Sequence, residues 1–272
     1  MPHVNSSGVD LWFEDVGGGP PILFLHELAS DARQWRGQID HFFRTHRCVA
    51  PCARGYPPSD VPAAEDAYVW ERQIDDIAAV LDVLGLDRAV LVGWSMGAYA
   101  ALQFARLHPD RTRAVVAVGV GSGSPAADRP DFQAQMRGLA TAWEDQGPKA
   151  AALIAEGANR QPLRHRNPAA WEAWLKDLEG HSPQGMARTC RNYQALRPSL
   201  QDFAEDFGRL KVPVAFIVGE QDTPCLETTA WLAGAIPSAR HVVLPAAGHA
   251  PNLEDPDGFN RVLETFFESL EE

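Results

Sequence analysis

Apolar and polar positions recur with two different periods along this chain, and the two alternate. Val9–Glu14 switches apolar and polar with a period of two, the pattern of an edge strand with one wet face. Ile22–His26, Arg47–Pro51, Ala89–Gly93, Ala114–Val120, Val214–Gly219 and His241–Leu244 are short runs that predict further strands. Ile22–Leu25 and Ala89–Val92 are wholly apolar, as parallel strands covered on both faces are. Between the runs the period lengthens. In Tyr68–Leu84 the residues Ile74, Ile77, Ala78, Leu81 and Leu84 fall on one helical face, and Gly85 stops the helix. A second helix is predicted from Met96 to Leu107, ended by His108-Pro109-Asp110, and a last amphipathic one over Phe259–Leu270. Strands alternating with helices predict an α/β fold, a mostly parallel central sheet flanked by helices.

From Ser124 to Glu205 the pattern holds no strand. Helix-like pieces around Phe132–Trp143, Lys149–Glu156, Ala169–Leu178 and Met186–Leu196 are punctuated by Pro and Gly. The organisation expected is a core of residues 1–123 and 206–272, with a helical cap, 124–205, inserted after the sixth strand and lying over the carboxyl edge of the sheet.

Composition narrows the function classes. The 272 residues carry 36 acids against 24 Lys and Arg, a net charge of −12. That balance argues against a nucleic-acid partner, which needs a basic face, and against an anionic membrane surface. No apolar run approaches a membrane span and the N-terminus has no basic or apolar leader pattern, so a cytoplasmic protein is expected. Cys48, Cys52, Cys190 and Cys225 are scattered, without zinc-ligand spacing, and read as reduced core thiols. No metal or cofactor is expected. The sequence leaves monomer and homodimer open.

The chemistry concentrates in Gly93-Trp94-Ser95-Met96-Gly97. The bare pattern is common by chance, but here an apolar strand runs into it and a helix runs out, the setting of a nucleophile elbow. The turn forces Ser95 into a strained conformation, so the residues two away on either side must lack side chains. The serine oxygen then stands at a helix N-terminus, where backbone N–H groups favour an oxyanion. A serine nucleophile needs a base, and His249, in a loop after the His241–Leu244 strand, is the candidate. The base needs an orienting acid, and Asp222 follows the Val214–Gly219 strand; Glu220 is its competitor.

With these residues in place the chain resembles the α/β-hydrolase superfamily along nearly its whole length. The order Ser95, Asp222, His249 matches the family order. Ile22–His26 is similar to the strand that leads into the family's His-Gly segment, and Arg54-Gly55-Tyr56-Pro57-Pro58-Ser59-Asp60 resembles its Arg-Gly-x-Gly-x-Ser loop. The resemblance implies an oxyanion hole built from the Leu28 and Met96 amides. It also separates this chain from epoxide hydrolases and haloalkane dehalogenases, which place aspartate where Ser95 stands. By size and cap placement the resemblance runs to 3-oxoadipate enol-lactonases and to carbon–carbon hydrolases of ring-cleavage products. The activity implied is serine hydrolysis of a small-molecule ester, lactone or activated C–C bond. A cofactor-independent dioxygenase or perhydrolase using the His–Asp pair, or a hydrolase-fold receptor, is the alternative.

One position departs from the family pattern. Glu27 stands where glycine is usual, and a carboxylate beside an oxyanion hole repels the charge developing there. It either pairs with an arginine away from the pocket or lines the pocket and serves a substrate hydroxyl or amine. Between Arg160 and Arg197 seven bases face three acids, a local excess that suits a small carboxylate substrate. The candidate pocket set is His26, Glu27, Trp94, Trp143, Arg164, Arg188 and Arg191. Trp171 and Trp174, three apart, are expected to pack together in the cap.

Overall fold

A computed structural model describes residues 2–270. Its eight strands form one sheet in the order β1-β2-β4-β3-β5-β6-β7-β8. The strands are β1 (His3–Ser6), β2 (Val9–Gly17), β3 (Pro21–Leu25), β4 (Arg47–Pro51), β5 (Ala89–Trp94), β6 (Thr112–Val118), β7 (Val214–Gly219) and β8 (Ala239–Leu244). β1 and β2 form an antiparallel hairpin and β2 pairs antiparallel with β4; every pair from β4 to β8 is parallel. The all-apolar reading of the central strands has its cause in this topology, because β5 and β7 are buried at every position. β8 closes the far edge and alternates towards solvent. Val9–Glu14 was expected to be an edge strand. It is the second strand instead, because the unread hairpin partner His3–Ser6 covers its outer side.

The helices are α1 (Arg36–Phe42), α2 (Trp70–Val83), α3 (Met96–Leu107), α4 (Arg129–Gln146), α5 (Ala151–Ala155), α6 (Gln161–Arg166), α7 (Pro168–Glu179), α8 (Pro183–Arg188), α9 (Ala204–Gly208), α10 (Thr223–Ala235), α11 (Pro251–Glu254) and α12 (Pro256–Glu268). α3 is buried from Met96 to Ala105, the central helix behind the sheet. α12 turns Phe259, Leu263, Phe266 and Phe267 inward at helical spacing, and each fully buried side chain of this kind contributes about 2 kcal/mol. Side-chain caps start three of the helices: Asn167 for α7, Ser182 for α8 and Asp255 for α12. Tyr68–Leu84 is not one helix. Val69 is extended (ψ 149°) and separates a 3-10 turn at Glu65–Tyr68 from α2. Met186–Leu196 likewise divides, α8 passing into a wider π-helical turn at Thr189–Gln194.

Only helices lie between β6 and β7. The register sets Leu25 beside Gly93 and Gly93 beside Ala117, so the strands end level. Glu27, Ser95, Asp222 and His249 all follow strand ends on that one edge, under the inserted helices. Among the described residues no helix is long and apolar enough to cross a membrane. All four cysteines are buried and free.

Candidate active site

Ser95 sits between β5 and α3 with φ 52° and ψ −105°, a conformation that L residues rarely adopt. The neighbouring glycines make it possible. A Cβ on Gly93 would overlap the Gly97 carbonyl, and one on Gly97 would overlap the Leu25 carbonyl of β3. The Ser95 N–H donates to Val118 O at 2.7 Å, which pins the turn to β6. Ser95 is part-buried and opens on a cavity of about 970 Å³.

His249 lines the same cavity and is held from three sides. Its Nδ1 lies 2.7 Å from Asp222 Oδ2. Its N–H donates to the Asn159 carbonyl at 2.8 Å. The Glu254 carboxylate below accepts from the Gly248 and Ala250 N–H groups on either side of it, at 2.9 to 3.1 Å. Asp222 is fully buried. Burial opposes its ionisation, but the His249 ring and the donated hydrogen bonds outweigh that, and its carboxyl is held below the usual range. One of those bonds comes from Asn159 Nδ2 to Asp222 Oδ1, at 2.9 Å. Glu220, the competing acid, points elsewhere and accepts from the Ala246 N–H at 2.9 Å. Among the described residues no hydrogen bond joins Ser95 Oγ to the imidazole. Such bonds are often loose before substrate binds.

Glu27 pairs with an arginine as one expectation had it, but at the border of the cavity and not away from it. It is buried, it borders the cavity, and it pairs with Arg160 through both guanidinium nitrogens, Nη1 at 2.7 Å from Oε1 and Nη2 on Oε2. Glu27 Oε2 also lies 3.6 Å from His249 Nε2. Two carboxylates therefore flank one imidazole. Asn159 and Arg160 belong to one short 3-10 turn, Ala158–Arg160, of the inserted helices. This turn grips Asp222 with one residue and Glu27 with the next.

The remaining pocket candidates do not line this cavity. His26 lies beneath the loop, its Nδ1–H donating to Glu27 O at 2.7 Å and its Nε2 accepting from the Ala53 N–H at 2.9 Å. Burial holds its pKa down, so the neutral ring acts as a clamp. Trp94 is fully buried behind the site, 5.8 Å from the His249 ring and 5.5 Å under the Arg160 guanidinium. Trp143 is fully buried among the inserted helices. Arg164 lies over Trp171 at 5.9 Å, on a separate groove. Arg188 pairs with Glu65 at 3.5 Å, and Arg191 grips Glu144 at 2.6 and 2.7 Å on the surface. Exposed acids compensate Arg188 and Arg191, and Arg164 faces another groove, so the local excess of charge does not reach the cavity through them. Trp171 and Trp174 do pack together, with centroids 5.1 Å apart.

The Glu27–Leu28 peptide is pinned at its carbonyl by His26, so its trans-opposed Leu28 N–H points the other way. Tyr56 holds the next carbonyl, Leu28 O, at 2.8 Å. Leu28 borders the cavity, and the Met96 N–H opens α3 beside Ser95. Asp222, Cys225 and His249 offer ligand atoms within 4.8 Å of one another. Cys225 is fully buried, which pushes its thiol well up, and it donates to Gly119 O at 3.2 Å. A metal there would have to displace the His249–Asp222 bond.

The sequence model of the alpha/beta hydrolase fold matches residues 20–256. The chain belongs to that family. Within the alpha/beta hydrolase fold it is 32% identical over 118 residues to epoxide hydrolase 2 of Siraitia grosvenorii, a stretch covering 43% of this chain and 37% of that protein. The chain thus spans well under half the length of the first curated relatives it matches. Solved structures align more completely. The malate-bound thermophilic esterase from Thermogutta terrifontis is 26% identical, with 99% of this chain and 98% of that one covered and a TM-score of 0.86. Est816, described as an N-acyl homoserine lactone degrading enzyme, is 27% identical, with 97% and 100% covered and a TM-score of 0.83.

Proposed function

We propose that this chain is a serine hydrolase that cleaves a small-molecule ester, lactone or activated C–C bond at an acyl carbon. The observation that carries the reading is one cavity bordered by Ser95 in its strained turn and by His249 bonded to Asp222. Ser95 Oγ attacks the acyl carbon while His249 Nε2 takes its proton. Asp222 fixes the Nδ1–H tautomer and stabilises the imidazolium. The Leu28 and Met96 N–H groups receive the oxyanion, each such donor typically contributing about 3 kcal/mol to the transition state. His249 then gives its proton to the leaving group. Water attacks the acyl-enzyme by the same steps in reverse.

The inserted helices act as a cap, and the turn at Ala158–Arg160 makes the cap part of the machinery. Asn159 orients the acid, and Arg160 neutralises Glu27 so that its carboxylate does not oppose the oxyanion as a free charge would. The match to epoxide hydrolases does not transfer their chemistry to Ser95, since a serine forms an acyl ester. The esterase and lactone-degrading neighbours favour acyl substrates.

Ser95→Ala tests the reading with p-nitrophenyl butyrate and a fluorophosphonate probe. Hydrolysis should fall about 10⁴-fold or more and labelling should vanish. Labelling that persists in the variant would remove Ser95 as the nucleophile.

A further inference from the structure

Three arginines are buried among the described residues: Arg54, Arg160 and Arg197. Arg54 has the Asp76 carboxylate and Arg160 has Glu27. Arg197 has no carboxylate partner among the described residues. Its Nε donates to Gln194 Oε1 at 3.0 Å and its Nη2 to Ser122 O at 2.9 Å, while its Nη1 is buried without a partner. The guanidinium rests on the Tyr99 ring at 4.5 Å and the Phe132 ring at 5.2 Å. Aromatic faces and neutral acceptors hold such a group in place but leave its charge uncompensated.

The position of that charge gives it a use. Arg197 and Gln194 border the same cavity as Ser95 and His249. The Arg129 guanidinium lies beside it, donating to Arg197 O and to Gly123 O at 3.2 Å, and likewise has no carboxylate partner among the described residues. The acids of the lining do not offset the two. Glu27 is taken by Arg160, and Asp128 and Asp131 are exposed at the mouth. The cavity therefore pairs a nucleophile with an interior cation that the protein leaves unmatched.

We propose that Arg197 is a carboxylate-binding residue and that the substrate is a hydrolysable acyl compound carrying its own carboxylate on the acyl side. The proposal rests on the serine-hydrolase reading and deepens it. A guanidinium at the cavity wall, with its charge uncompensated and a fixed ring platform beneath it, suits a carboxylate in the cavity.

The test compares the mono-p-nitrophenyl ester of glutaric acid with neutral p-nitrophenyl butyrate. The wild type should favour the anionic ester through KM. In Arg197→Gln the ratio of kcat/KM for anionic over neutral ester should fall tenfold or more, roughly the loss of one charged hydrogen bond. Arg197→Lys keeps the charge without the fork and should give an intermediate ratio, so it carries the test even if Arg197→Gln fails to fold. Arg164→Gln, on a separate groove, should leave the ratio as it is. A ratio unchanged in Arg197→Gln, or equal losses on both esters, would overturn the proposal and make Arg197 a structural staple. Binding of glutarate to the Ser95→Ala protein by calorimetry separates the two readings. Glutarate binding that depends on Arg197 without turnover of any ester keeps the subsite and removes the hydrolase. Ester turnover without such binding does the reverse.

Discussion

A carboxylate beside the proposed oxyanion site is tolerable only when its charge is matched, and at Glu27 the Arg160 fork does the matching. Both groups are buried, at 1% and 6% exposure, so neither can turn to solvent if its partner is lost. Arg160→Met should therefore cost about 3–5 kcal/mol in urea unfolding, the usual penalty for leaving a buried charge alone. The double variant Glu27→Gln/Arg160→Met should recover much of that loss. Equal losses in the single and double variants would show that Arg160 contributes packing on Trp94 and Trp174 and not charge. Ser95, Asp222 and His249 were legible because their constraints are local. A strained serine demands small neighbours, and each of the three follows a readable strand. Asn159 and Arg160 were not legible as members of the candidate site. Their partners Asp222 and Glu27 lie 63 and 133 positions away, and nothing in Ala158–Arg160 marks it as the turn that reaches the core.

At the scale of elements, the site depends on how closely β3, β5 and α3 approach one another. Gly97, in the first turn of the buried helix, lies directly against the Leu25 and His26 carbonyls, where a side chain would overlap backbone. Gly97→Ala must push α3 from β3, and the expected loss is about 3 kcal/mol or more, together with most of the proposed serine-hydrolase activity. Gly138, within α4, has open space at its Cβ position, and Gly138→Ala should instead stabilise by about 0.5–1 kcal/mol. Chemical denaturation of both variants checks the contrast; similar values would mean that the elbow can relax. The central strands and α3 were legible for the reason these glycines matter, since dense two-sided burial leaves only apolar and small residues. α10 was not placed, because its buried residues include Thr228 and Thr229 beside Cys225 and Leu232, and no clean apolar stripe appears. The π turn after α8 escaped as well, since six residues are too few to separate its period from that of an α-helix.

Across the whole molecule the acid excess lies outside the inserted helices between β6 and β7. Residues 124–205 hold ten acids and ten bases, so the remaining 26 acids against 14 bases carry the full −12. Such a charge favours solubility and says little about the substrate. The pH response of the fold depends more on groups that burial forbids to charge. His181, between α7 and α8, is 3% exposed and packs edge-on against Tyr56 at 5.3 Å, with Nδ1 4.0 Å from Asp31. Burial lowers its pKa from 6.5 to about 4, against the pull of the Asp31 charge, while nearby His26 and Arg33 lower it further. The folded state thus refuses a proton that the unfolded chain accepts below about 6.5. Stability is fully present above that pH and is lost as the pH falls towards about 4, where the folded state protonates too. The loss from this one group should reach roughly 2 kcal/mol at pH 5. His26, also held neutral by burial, acts in the same direction. Urea midpoints at pH 7 and pH 5 should therefore differ in the wild type and differ less in His181→Gln, whatever that variant's absolute stability. A wild-type midpoint that stays put, or a variant that shifts as far, would place the proton uptake elsewhere than at His181.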